Sequence, residues 1–201
     1  MNRTVKISLL CAGAVVGNMA TSYLASVLKL PCFLDTIFSV AITFYAGFVP
    51  GIIVAAVFNP LMTIFRGLVT STVISYYDFL YAICGMLIVL ATWFFSRKKS
   101  NFSFNRYVTV LYLLIIAFLS ALLSCLSASA LDTYVLPLFV SSSGFSSFDT
   151  VSLVFQQMRF GTFISYLLPR IPLTVLDRII CTFAGFGVYK LAIRIEKGRM
   201  Q

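Results

Sequence analysis

Long apolar blocks, separated by short polar stretches, constrain the fold of this chain more than any other feature. A helix needs about 20 mostly apolar residues to cross a bilayer core about 30 Å thick. The 201-residue chain is 60% hydrophobic and only 10% charged, whereas a soluble domain has roughly 25% charged residues. The sequence therefore predicts an all-α, polytopic membrane protein. Six segments are predicted to be transmembrane helices: Ile7–Leu28, Leu30–Phe48, Val49–Phe65, Phe79–Phe95, Tyr107–Leu131 and Pro172–Ile193.

The charge distribution predicts how these segments are oriented. Basic residues are enriched on the cytoplasmic side of membrane proteins. If both termini are cytoplasmic, the inner side carries ten of the 15 basic residues and only Glu196 of the six acidic ones. The outer side then keeps five basic residues, namely Lys29, Arg66, Arg159, Arg170 and Arg178, and five aspartates. We therefore predict one six-helix domain over residues 1–201, with both termini in the cytoplasm.

The longest predicted outer feature is residues 132–171. Its serine-rich stretch Ser141–Ser147 has the composition of a flexible loop. Val151–Pro169 is apolar but contains Gln156, Gln157 and Arg159. A seventh crossing there would move the basic C-terminal residues outside, so we predict an interfacial or re-entrant element. The whole region is expected to act as a lid over an outward-facing site.

Absent residues and motifs exclude several functions. The chain has no histidine, which excludes Ser-His-Asp and Cys-His catalysis and the usual zinc sites. The five cysteines form no CxxC pair and stand in apolar context, which favours small buried side chains. No GxxxxGK motif is present, so the chain carries no ATPase of its own. We predict no enzyme, no metal site, no cofactor and no binding of nucleic acid.

Charged residues at the outer ends of the helices are the candidate ligand-binding residues. A charge in hydrocarbon is costly unless it is paired or hydrated. Two interpretations stay open: structural ion pairs, for example of Asp35 or Asp78 with Arg178, and a polar pocket open to the outside. Tyr77, beside Asp78, is a candidate for stacking on a flat ligand. The predicted ligand-binding residues are Asp35, Arg66, Tyr77, Asp78, Asp132, Arg159, Arg170 and Asp177.

Small residues mark possible helix-packing faces. Gly13, Gly17 and Thr21 recur every four residues in the first segment and therefore share one face. Such a face lets another helix approach closely in lipid. Both a partner membrane protein and this chain's own helices remain candidates for the contact. Asn59-Pro60 interrupts the third segment, where the proline removes a backbone donor and predicts a bend.

Several stretches resemble a known family. Phe48–Ala56 looks like a proline- and glycine-marked entry to a third helix, and Leu168–Arg178 leads into a final helix that ends near Tyr189-Lys190. With the length, six helices and small-residue first helix, these resemble the S component, the substrate-binding subunit, of energy-coupling factor (ECF) transporters. The resemblance covers nearly the whole chain through loose motifs.

The resemblance implies a function and partners. S components bind a vitamin, a vitamin precursor or a metal ion from outside, in a prokaryotic cell membrane, and dock on a T subunit that carries two ABC-type ATPases. Gly13 and Gly17 match two family alanines that contact the T subunit, with glycine in place of alanine. The family's ligand positions match Asp78, Asp132, Arg159, Arg170 and Asp177. A metal ligand is not expected, because the histidine-rich N-terminus of nickel and cobalt binders is absent.

The alternative function is a non-transporting scaffold or sensor, such as a rod-shape-determining membrane protein or the membrane module of a histidine kinase. A scaffold needs neither a ligand-sized outer cavity nor paired outer charges. A stand-alone carrier would usually show two related halves or a polar stripe through the full depth of the membrane. In this sequence the polar residues of the helices concentrate at one side.

Overall fold

The computed structural model describes residues 3–70, 76–97, 105–139 and 147–198. These residues form helices joined by short turns, without a strand, which confirms the all-α prediction for the described part. The described α-helices are α1 Arg3–Val27, α2 Ile37–Ala46, α3 Phe48–Thr70, α4 Ala82–Ser96, α5 Arg106–Ala130, α6 Leu136–Phe139, α7 Ser147–Gln157 and α8 Thr162–Gly198. A 3-10 helix, Tyr76–Tyr81, leads into α4, and a π-helical turn, Leu131–Val135, joins α5 to α6.

Several helical stretches are long and apolar enough to cross a membrane. By length and composition, the chain is therefore a multi-pass helical membrane protein. The count of six spans and the cytoplasmic location of the termini stay predictions. Five stretches of the described residues meet the length criterion: Thr4–Val27, Phe48–Val69, Tyr76–Ser96, Arg106–Phe139 and Thr162–Gly198.

The second predicted span differs most from the structure. Instead of a helix over Leu30–Phe48, an irregular segment, residues 28–36, precedes the ten-residue α2. Lys29 and Leu34 adopt left-handed backbone angles, with φ of 51° and 48°, and a right-handed helix does not continue through such residues. An α-helix rises 1.5 Å per residue, so α2 is about 15 Å long and covers only half of a bilayer core.

Helix α2 lies at the centre of the bundle, with most of its side chains buried. Its first turn is capped by α1: Asn18 Oδ1 accepts from the Phe38 N–H at 2.9 Å, and Asn18 Nδ2 donates to Ser39 Oγ at 2.8 Å. It ends at Gly47, which adopts φ 96° and donates its N–H to the Thr43 carbonyl at 3.0 Å. Glycine is favoured there because it adopts positive φ without steric cost.

Close helix packing around α2 depends on a glycine in α8. A Cβ atom at Gly185 would lie 2.6 Å from the Ile37 carbonyl oxygen and 2.9 Å from Val40 Cβ. Beside this contact, Val40 and Phe44 pack in one buried cluster with Ile88, Leu113 and Ile116. This cluster joins α2 to α4, α5 and α8, so the core depends on the short distance between α2 and α8.

The two ends of the bundle differ in content. Lys6 Nζ contacts Glu196 Oε1 at 2.5 Å and the Tyr45 hydroxyl donates to Glu196 Oε2 at 3.0 Å, which brings together the start of α1 and the ends of α2 and α8. We call this the terminal end. The opposite end, where α1 and α3 finish and α4 begins, is the cavity end. Helix α1 therefore begins at the terminal end, and helix α8 finishes there.

Much of the predicted outer region, residues 132–171, is helical. Its described residues belong to the π-helical turn, α6, α7 and the first part of α8, with a short turn over 158–161. Helix α8 begins ten residues before the predicted start at Pro172 and includes both Pro169 and Pro172. Proline is tolerated inside membrane helices where neighbouring groups satisfy the freed backbone. The predicted flexible loop is Ser141–Ser147, and its residues 141–146 lie outside the described residues.

The Gly185 contact is testable with a matched glycine pair. Gly185→Ala should lower the free energy of unfolding by about 1–3 kcal/mol, because the added methyl group overpacks the α2 contact. Gly187→Ala, two residues later, should not destabilise the protein, because nothing lies within 4 Å of its Cβ position. Thermal unfolding in detergent, followed by circular dichroism, compares the two variants. Equal melting temperatures would contradict the packing argument.

Candidate functional site

A cavity of about 640 Å³ opens at the cavity end. It lies between α1, α3, α4, α5 and α8 and beside the irregular segment 28–36. Its volume falls within the roughly 300–1,000 Å³ range of small-molecule sites. Its charged lining residues are Asp35, Arg66, Asp78, Arg170 and Arg178, and its apolar lining includes Tyr23, Phe33, Phe58, Met62, Phe65 and Ile88.

Arg178 organises one wall of the cavity. Its guanidinium Nη2 contacts Asp35 Oδ1 at 2.8 Å and Asp177 Oδ2 at 2.5 Å, and its Nη1 donates to Thr36 Oγ1 at 2.6 Å. Asp177 is fully buried and Arg178 is nearly so. We call Asp35, Thr36, Asp177 and Arg178 the Arg178 cluster. It attaches α8 to the residues that precede α2.

Asp177 also holds the irregular segment in place. Its Oδ1 accepts the backbone N–H groups of Phe33, at 2.8 Å, and of Leu34, at 2.9 Å. Backbone donors without helical partners are costly at membrane depth unless the protein satisfies them. The carboxylate of Asp177 does so for both groups, which explains how the chain departs from helical geometry just before α2.

A second buried carboxylate, Asp132, organises the neighbouring wall. Its Oδ1 accepts the Tyr77 hydroxyl at 2.8 Å and also the Tyr81 hydroxyl, while its Oδ2 contacts Arg170 Nη2. Tyr77, Tyr81, Asp132 and Arg170 form the Asp132 cluster. Asp132 lies in the π-helical turn that follows α5, and such turns occur frequently at functional sites. The cluster ties α5 and α8 to the start of α4.

Two more charged side chains lie on the α3 side of the cavity. Arg66 Nη2 donates to Ser22 Oγ at 3.2 Å, and Asp78 belongs to the 3-10 helix. Both side chains line the cavity. The cavity therefore has charged groups of both signs on two sides, with aromatic side chains between them.

The predicted ligand-binding residues fall into three groups. Asp35, Arg66, Asp78 and Arg170 line the cavity. Tyr77, Asp132 and Asp177 lie one layer behind and hold the lining arginines. Arg159 is exposed in the turn between α7 and α8, with φ 66°, and is not among the lining residues.

The structure contains both ion pairs and a cavity, because Arg170 and Arg178 contact aspartates and also line the cavity. A polar ligand site open to the outside stays a prediction. The sequence analysis did not select Arg178 or Tyr81 as ligand-binding residues, although both line the cavity. The sequence predicts Arg178 only as an ion-pair partner. Its position one helical turn or more inside an apolar segment is the signal for both the ion pair and the cavity lining. Asn59, next to the proline of α3, also lines the cavity.

The predicted docking residues of α1 do not share one environment. A Cβ atom at Gly17 would lie 2.8 Å from the Phe38 ring, so Gly17 packs against α2. The Thr21 hydroxyl donates to the Leu34 carbonyl at 2.7 Å, within this chain. Gly13 is exposed, with nothing within 4 Å of its Cβ position. Of the three residues, Gly13 alone is exposed.

One group of possible metal ligands occurs among the described residues. Ligand atoms of Asp35, Asp177 and Cys181 lie within 4.8 Å of one another. The guanidinium of Arg178 contacts both carboxylates, so a cation already occupies the position that a metal ion would need. This arrangement fits an ion-pair cluster better than a metal site.

The fold and the cavity define a class: a multi-pass helical membrane protein with a ligand-sized, mixed-charge cavity at one end. No family model, curated protein or solved structure matches the chain. Any narrower assignment therefore depends on the cavity and on the helix faces.

Removal of Asp177 should strongly destabilise the bundle. Asp177→Ala leaves the buried Arg178 with a single carboxylate and two backbone N–H groups without their acceptor. Breaking a buried ion pair from one side costs about 3–5 kcal/mol. Unfolding by titration with sodium dodecyl sulfate measures the loss. Glu196→Ala is the control, because its ion pair is exposed; equal losses in both variants would contradict the central role of Asp177.

The Tyr77 hydroxyl provides a finer test. Tyr77→Phe should cost about 1.5–3 kcal/mol of unfolding free energy, because it removes a hydrogen bond to a buried charged group. The adjacent Tyr76 is 72% exposed, so Tyr76→Phe should leave stability unchanged. The same denaturation measurement compares the two. A Tyr77 variant as stable as the Tyr76 variant would show that Asp132 does not need this donor.

Proposed function

We propose that this chain is the substrate-binding membrane subunit of an ECF-type ABC importer. It captures a vitamin or related small micronutrient from outside and docks on a T subunit that carries two ABC ATPases. The observation that carries the proposal is the cavity of about 640 Å³, with charged and aromatic walls, at the end of the bundle away from the termini.

The positions of the basic residues support the orientation that this function requires. Against Glu196, the terminal end has a marked excess of Lys and Arg, whereas the cavity end has nearly balanced charge. By the positive-inside rule, this asymmetry supports a cytoplasmic terminal end and a cavity that opens to the outside. The described basic residues of the terminal end are Arg3, Lys6, Arg97, Arg106, Lys190, Arg194 and Lys197.

The course of the chain supports six crossings rather than five. Helix α1 ends at the cavity end, and α3 begins at the terminal end beside Trp93, near the end of α4, with 4.9 Å between the Phe48 and Trp93 ring centroids. Residues 28–47 therefore run from one end of the bundle to the other. In this proposal, the irregular segment and α2 together make the sixth crossing, and the surrounding helices shield α2 from lipid.

The exposed face of α1 supports docking of a second membrane protein. Gly13 and Ala20 are exposed on either side of Val16, which is 65% exposed. Residues at these spacings share one helix face, and small side chains let a partner helix approach closely. The sequence has no ATP-binding motif, so the energy for uptake comes from the partner ATPases. A scaffold or sensor remains the alternative function, and a scaffold has no need of the charged cavity.

Co-purification tests the proposal. The tagged chain, extracted from its native membranes in mild detergent, should recover ABC-type ATPases and a T-like membrane subunit, identified by mass spectrometry. Gly13→Leu should lose them because leucine blocks close helix contact. Gly187→Leu, at an exposed glycine of α8 with open space around it, is the control and should keep them.

Two results would contradict the proposal. Recovery of cell-wall or signalling proteins without any ATPase would favour the scaffold or sensor function. Retention of the ATPases by a folded Gly13→Leu variant would show that this face of α1 is not the docking surface. A single symmetric gel-filtration peak for each variant checks that the protein is folded.

A further inference from the structure

We propose that the cavity binds an organic cation, with the positive charge of the ligand beside Asp35. This inference rests on the proposed function, since it names the chemical class of the captured substrate. It follows from the carboxylates and guanidinium groups of the cavity walls, the partners of each carboxylate, and the aromatic lining. No single residue carries it.

The cavity walls hold more carboxyl groups than guanidinium groups. Three arginines line the cavity, whereas two aspartates line it and two more contact those arginines directly. Four carboxyl groups therefore stand against three guanidinium groups. The carboxylates are those of Asp35, Asp78, Asp132 and Asp177, and the arginines are Arg66, Arg170 and Arg178.

Both buried carboxylates already have partners at both oxygens. Asp177 accepts at Oδ1 from two backbone N–H groups and contacts Arg178 through Oδ2. Asp132 accepts at Oδ1 from two tyrosine hydroxyls and contacts Arg170 through Oδ2. Neither carboxylate is therefore open to a ligand in the cavity.

Asp35 shares its guanidinium group with a second carboxylate and faces the cavity. Arg178 contacts both Asp35 and Asp177, so one guanidinium group serves two carboxylates. Asp177 is fully buried and also accepts two backbone N–H groups, whereas the Asp35 side chain is 25% exposed and lines the cavity. The position best suited to a positive charge is therefore the cavity surface at Asp35.

The remaining walls suit an organic cation rather than a bare metal ion. Phe33, two residues before Asp35, lines the cavity together with Tyr23, Phe58 and Phe65, and the Tyr23 and Phe65 rings meet edge to face at 5.7 Å. Aromatic faces attract ammonium groups and cationic ligands. The cavity volume is about 640 Å³, whereas one water occupies about 30 Å³. The ligand class is a small amine or a cationic heterocycle with an apolar body.

Three probes of similar size and different charge test the inference: benzylammonium, benzyl alcohol and benzoate. Binding to the purified full-length chain in nanodiscs of phosphatidylcholine is measured by equilibrium dialysis of labelled probe. Benzylammonium should bind at least about tenfold more tightly than either of the others, a difference of 1.4 kcal/mol. Asp35→Asn should abolish this preference, and Asp35→Glu should keep it. Glu196→Gln, at the terminal end, is the control and should bind like the wild type.

Three outcomes would overturn the inference. Tighter binding of benzoate would mean an anion site, and equal binding of all three probes would mean that charge does not select the ligand. Binding of Mg²⁺ or Ni²⁺ without binding of benzylammonium, lost in Asp35→Asn and in Cys181→Ser, would mean a metal site. If Asp35→Asn does not fold, the comparison of the three probes on the wild-type chain still decides.

Failure of this inference is distinguishable from failure of the proposed function. Co-purified ATPases together with a preference for benzoate would overturn the cation assignment and leave the importer subunit standing. A preference for benzylammonium without any co-purified ATPase would overturn the importer and leave the cation site.

Discussion

The contact of Arg178 with Asp35 and Asp177 is the interaction on which the rest of the structure depends. It joins α8, the longest of the described helices, to the irregular segment that precedes the short helix α2. Because Asp177 also accepts the backbone N–H groups of Phe33 and Leu34, the chain can leave helical geometry there without unsatisfied donors. A buried ion pair of this kind contributes little net stability compared with apolar packing, but it specifies one arrangement, because each charge needs its partner.

The cavity follows from that arrangement. Since α2 begins only at Ile37, the helix fills the half of the bundle nearer the terminal end. The cavity-end half is occupied by the irregular segment, which is held to α8, and the space beside it stays open. A regular helix over the whole second apolar block would have filled that space with side chains. Asp177 holds the irregular segment in place, and through Arg178 it is linked to Asp35, the carboxylate at the cavity surface.

The function proposed for the chain joins two surfaces that lie far apart on the same bundle. In that proposal, the cavity, with its mixed charges and aromatic walls, is the site for a small molecule at one end. The exposed small residues of α1, Gly13 and Ala20, offer a contact to another membrane protein. Gly17 and Thr21, one and two turns after Gly13 on the same helix, pack against α2 and its preceding segment, so α1 connects the proposed docking surface to the element beside the cavity.

The sequence by itself determined the all-helical class, the approximate position of most apolar helices and the set of charges that lie at one end. Hydrophobic block length and charge asymmetry are local properties, so these predictions need no knowledge of which helix contacts which. The tertiary structure decided the rest. Left-handed Leu34 and the short α2 depend on Asp177, 143 residues away along the chain, and the early start of α8 depends on packing that tolerates two prolines. Which charges line the cavity and which stand behind it was likewise decided by contacts between distant segments, because residue type gives a charge its sign but not its partner.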